Sequence, residues 1–173
     1  QLGPIRHRYT AKERAQKQGI GHYIYPRFTR LVDLNQSEDR NPADYYRLIM
    51  QSELRNMQIV SDTIDCVKRG RTPVVMTKYK EHAQKLYDML QGSADHVFLL
   101  QGGKSLKERA AIREDMAAVR ADESIILVAI GQYVGEGFNY PRLDTMLLAM
   151  PISFEGNVEQ HAGRLNRDYE GKK

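Results

Sequence analysis

The chain has no tryptophan and one cysteine, Cys66, in 173 residues. A lone thiol excludes an internal disulfide and fits a reducing cytoplasm. No window approaches the roughly 18 consecutive apolar residues of a membrane-spanning helix, so no membrane partner is expected. The opening Gln1-Leu2-Gly3-Pro4 has no charged stretch leading into an apolar core, and hence no visible secretory signal. It also lacks an initiator Met, which suggests a piece of a longer protein. Neither His82 nor His161 stands at metal-ligand spacing from a cysteine or carboxylate, so no metal site is expected. Gly103-Lys104-Ser105 imitates the end of a phosphate-binding loop, but the full pattern needs a glycine five residues earlier, where the chain has Phe98. No acidic magnesium-binding pair follows an apolar strand. The parts that grip nucleotide and metal are therefore missing.

What is present suits one domain with a core, or a domain plus an appendage: 41% apolar residues, a formal charge of +4 and a pI near 9.1. That charge permits an anionic partner without demanding one. Residues 1–40 read as the tail of a preceding lobe and a linker. They are basic and polar, with a short helix capped by Thr10 and Glu13, then an extended stretch from His22 to Thr29 in which Pro26 allows only an edge or a connection. Asn41-Pro42 reads as a cap and first turn opening a helix to Lys68, stopped by Gly70. Its apolar positions are Tyr45, Leu48, Ile49, Met57, Val60, Ile64 and Val67, and Cys66 rides on it as an inert, partly buried thiol. Strands follow at 73–77, 96–100, 125–129 and 145–150. Helices fall at 80–90, 106–119 and from about Asn157, the first presenting Ala83, Leu86, Tyr87 and Leu90 inward. Strands alternating with helices predict an α/β fold, a mostly parallel sheet with helices on both faces.

The richest stretch runs from Ser124 to Arg167. A buried strand feeds a glycine-punctuated loop, Gly131-Gln132-Tyr133-Val134-Gly135-Glu136-Gly137-Phe138-Asn139. A second strand halts at Pro151, and the stretch closes on Gln160-His161-Ala162-Gly163-Arg164-Leu165-Asn166-Arg167. A strand entering a glycine loop brings backbone to the carboxyl edge of a sheet, where open α/β folds bind ligands. Arg164 and Arg167, three apart on a helix, share a face and can converge on one anion.

These residues resemble superfamily 2 helicases. Gln160, Gly163, Arg164 and Arg167 fit the family's Gln-x-x-Gly-Arg-x-x-Arg motif VI, the loop 131–139 looks like motif V, and 72–82 looks like motif IV. The run from Gly135 through Gly171 is similar to bacterial DEAD/DEAH-box helicases of the type III restriction kind. The resemblance covers roughly residues 70–173, with three motifs in the family's order. It implies a RecA-like three-layer sandwich over 41–173, truncated after motif VI.

It further implies the C-terminal motor lobe of an ATP-dependent helicase, with ATP and Mg2+ bound between this lobe and an N-terminal one, and a DNA or RNA strand as partner. Gln160, Arg164 and Arg167 would be catalytic, the arginines stabilising charge on the transferring phosphoryl group. Gly135, Glu136, Gly137, Asn139 and Gly163 would face ATP. Thr77, Lys78, Gly102, Lys104, Gly131 and Gln132 would face the nucleic acid. Ile130 departs from the family's usual Thr, losing a hydroxyl for a strand phosphate. Asn139 replaces the usual Asp and loses a charge-assisted contact to the ribose. Tyr133 and Phe154 read equally as base-stacking or packing residues. The competing reading is a non-catalytic nucleic-acid-binding module with degenerate helicase motifs.

Overall fold

The computed structural model describes residues 23–29, 31, 41–102, 106–131 and 140–151. Helix α1 (Pro42–Gln51) opens as its sequence dictates: Asn41 stays extended and its side chain accepts from Ala43 N at 3.1 Å, with proline in the first turn. The single helix expected from there to Lys68 is in fact two. Ser52 adopts φ −66°, ψ 102°, and its hydroxyl accepts from Arg55 N at 3.4 Å, starting helix α2 (Glu53–Lys68). Serine competes with helical backbone for hydrogen bonds and so serves as a cap where apolar periodicity alone sees continuity. At the far end Gly70, with φ +70°, donates to Val67 O while Arg71 donates to Cys66 O, the paired bonds of a Schellman stop.

The strands are β1 (Pro73–Thr77), β2 (His96–Leu100), β3 (Ile125–Ile130) and β4 (Thr145–Leu148), all parallel in the order β2-β3-β1-β4. Helix α3 (Lys80–Leu90) joins β1 to β2 and helix α4 (Leu106–Ala118) joins β2 to β3. The first connection steps two places across the sheet and the second steps back one. Right-handed crossovers in opposite directions put their helices on opposite faces. The core divides accordingly. On one face Ala83, Leu86 and Leu90 of α3 and Ile59 of α2 pack on Val75, Leu99, Ile126, Val128 and Ile130. On the other, Met116 and Ile112 of α4 pack with Leu143 on Val74, Met76, Leu100, Leu127 and Ala129. The even–odd alternation along β1 and β3 is the pleat of strands covered on both faces. This is the expected α/β architecture.

Of the apolar positions read along α1 and α2, Val60, Ile64 and Val67 pack partly buried against the core, but Met57 is 59% exposed. The fully buried positions of α2 are Arg55, Asn56, Ile59 and Thr63, three of them polar. Helix α1 has no fully buried residue; Leu48, Ile49 and Met50 are half-buried. Residues 23–29 belong to no strand or helix; Arg27 clips them to α2 through paired bonds of 2.8 and 2.7 Å to Asp62.

Candidate functional site at the carboxyl edge

Because all four strands are parallel, their carboxyl ends share one edge. In spatial order, Gly102 follows β2, Gly131 follows β3, and Thr77 and Lys78 end β1, with Thr77 beside Ile130 in register. Three strand ends far apart in sequence therefore lie along one edge. Gly102 is buried, Gly131 half-buried and Lys78 exposed. Lys104, Gln132, Gly135, Glu136, Gly137, Asn139, Gln160, Gly163, Arg164 and Arg167 lie outside the described residues, as do Tyr133, Phe154 and His161.

Thr77 does not present its hydroxyl outward. Its side chain is buried, and Oγ1 lies 2.8 Å from His82 Nδ1. His82 Nε2 lies 3.0 Å from Asn56 Oδ1, and Asn56 Nδ2 donates to Met50 O at 2.8 Å. The protons can be assigned by elimination. A main-chain carbonyl only accepts, so Asn56 turns its NH2 to Met50 and its oxygen to His82. His82 must then carry hydrogen on Nε2, leaving Nδ1 to accept from Thr77. Burial pushes the His82 pKa from 6.5 down to about 4, and the nearby charges of Arg55 and Lys85 add to the effect. The ring is neutral at pH 7 and every polar atom of the relay is used. Sequence reasoning saw His82 as isolated, because its partners Asn56 and Thr77 are 26 and 5 residues away on other elements.

Above this relay, Lys78 Nζ lies 4.5 Å from the centre of the Tyr46 ring and 5.7 Å from that of Tyr79. The two rings are 5.7 Å apart and tilted by 57°. Arg55, in the first turn of α2, is 9% exposed, and its buried Nη1 has no hydrogen-bond partner. Desolvation lowers its pKa. Ile130 is packed in the core at 7% exposure, so the strand end where the family usually has a threonine offers only hydrocarbon. Cys66 is half-buried, and burial, followed by the carboxylates of Asp144 and Asp62, pushes its thiol pKa up, in keeping with an inert side chain.

Among the described residues no group of three His, Cys, Asp or Glu side chains is placed to hold a metal ion. Also among them, no helix is long and apolar enough to cross a membrane.

The fold is a RecA-like α/β fold, a parallel sheet with helices on both faces. It is shared with T4 UvsW (TM-score 0.60, 19% identity, 74% of this chain and 25% of that one). It is shared too with the C-terminal part of the Fun30 ATPase domain (TM-score 0.54, 16% identity, 72% of this chain and 39% of that one). In sequence the chain is similar to transcript termination protein A18 of fowlpox virus (strain NVSL), 28% identical over 140 residues, covering 76% of this chain and 29% of that protein. The A18 protein of myxoma virus (strain Lausanne) is 25% identical over 134 residues, covering 75% of this chain and 27% of that protein. No family model matches. The chain thus spans less than a third of the curated relatives' length.

Proposed function

We propose that this chain is the C-terminal motor lobe of an ATP-dependent nucleic-acid helicase or translocase, working in a reducing cytoplasm. The observation that carries the reading is the convergence of Lys78, Gly102 and Gly131 on one sheet edge, from the loops that the helicase resemblance marks for strand contact. Lys78 supplies positive charge there, and the glycines allow a backbone to approach closely. ATP, with Mg2+ held by a separate N-terminal lobe, supplies the phosphoryl group to be transferred. This chain's part is to bring Gln160, Arg164 and Arg167 to that group and to line the nucleotide with the 135–139 turn and Gly163. A guanidinium stays charged and forks onto phosphate oxygens, which suits charge developing in transfer.

In the full-length protein, Arg167→Ala should lower nucleic-acid-stimulated ATP hydrolysis by at least about a hundredfold, given the 10³–10⁵ typical of such arginines. Ile130 supports the second reading, a binding module with degenerate motifs, since its side chain serves the core and brings no hydroxyl. Unchanged turnover in Arg167→Ala would favour that module.

A further inference from the structure

The geometry points to a base-stacking subsite for single-stranded nucleic acid formed by Tyr46, Lys78 and Tyr79. It rests on the nucleic-acid reading above and adds a contact to the bases, where the edge loops address the sugar-phosphate backbone. Three observations converge on it. The rings of Tyr46 and Tyr79 are half-buried at the carboxyl edge, 5.7 Å apart, with the exposed Lys78 ammonium over both. Lys78 forms no ion pair among the described residues, and its ammonium lies against the two ring faces. A nucleotide carries its phosphate one sugar away from its base. An ammonium one ring-contact away from two aromatic faces offers the matching pair of groups.

The third observation is how the cluster is fixed. Helix α1 has no fully buried residue, and Tyr46 itself is half-buried. A bond at the Met50 carbonyl, one turn from Tyr46, ties the helix to Asn56 and through His82 to Thr77, the residue before Lys78. The buried relay therefore links the element that carries Tyr46 to the strand end that carries Lys78 and Tyr79. A fully bonded, neutral relay is an unexpected thing to place under an exposed helix unless the surface it positions has a task. Stacking on aromatic rings tolerates any base, so the subsite selects strands that have bases over those that do not, without reading sequence.

The test is fluorescence anisotropy on the whole 173-residue chain. The probes are a short oligo-dT and an abasic deoxyribose-phosphate strand of equal length, with oligo-rU titrated in parallel. We expect oligo-dT or oligo-rU to bind about tenfold more tightly than the abasic strand. Tyr46→Leu should remove that preference and leave abasic binding unchanged, while Tyr46→Phe should keep it. A thermal melt checks that both variants remain folded. Equal binding of all strands by the unmodified chain would overturn the subsite and leave the nucleic-acid reading standing. So would a Tyr46→Leu variant that retains the preference, or one that loses affinity for all strands alike. No binding of any strand would overturn both.

Discussion

His82 is the centre of the relay that ties α1, α2 and β1 together, although it stands isolated in the sequence. Because its folded pKa lies near 4 and its unfolded value near 6.5, the unfolded chain binds the extra proton between those values. Stability should therefore be full above about pH 6.5 and fall as the pH drops towards 4, by at most roughly 3 kcal/mol from this group. Urea unfolding across that window measures the slope. His82→Leu should lose stability at pH 7 but lack this share of the slope. Identical slopes in the two proteins would mean that the ring is not held neutral. Thr77 teaches the same lesson: the motif resemblance places it at the strand contact, but its hydroxyl proton is spent inward on His82. Any contact it makes to a strand must use its main chain. Arg55 gives no sign of burial in the sequence, since arginine is seldom this enclosed.

Elements follow their local chemistry more closely than residues do. The bounds of β1, α3 and β2 coincide with those read from apolar runs and from glycines at their ends, because these signals act within a few residues. The stop at Gly70 was legible for the same reason. Its φ of +70° lies where a Cβ is disfavoured, so Gly70→Ala should destabilise the chain by about 1–2 kcal/mol, read as a lowered midpoint in chemical unfolding. An unchanged midpoint would mean that the helix end relaxes into another conformation. The division of α1 from α2 was not legible, although Ser52 was in plain view. A serine is tolerated in an exposed helix as well as at a cap, and here its hydroxyl caps α2 while Asn56 bonds both Met50 and His82 across the break. Polar Asn56 thus lies inward and Met57 is exposed, contrary to a reading by apolar period alone.

At the scale of the whole molecule, parallel strands and alternating helices bring the carboxyl ends of all four strands to one edge. That edge is incomplete as an ATPase in the reading proposed here, because the phosphate loop and magnesium-binding carboxylates are assigned to another lobe. The isolated chain should accordingly show no ATP turnover above background, with or without nucleic acid, in a phosphate-release assay. Turnover abolished by Lys104→Ala would instead make Gly103-Lys104-Ser105 a working phosphate loop and overturn the shared-site proposal.

The sequence by itself determined the class of fold, most element bounds and the set of motif residues, since hydrophobic period, caps and glycine stops are short-range properties of the chain. It also held the order of the loops, from which the shared edge follows once the strands are parallel. Only the tertiary structure decided which polar side chains are spent inside. Asn56, His82 and Thr77 satisfy one another across three elements, and a hydrogen bond between distant segments leaves no periodic trace in the residues that make it.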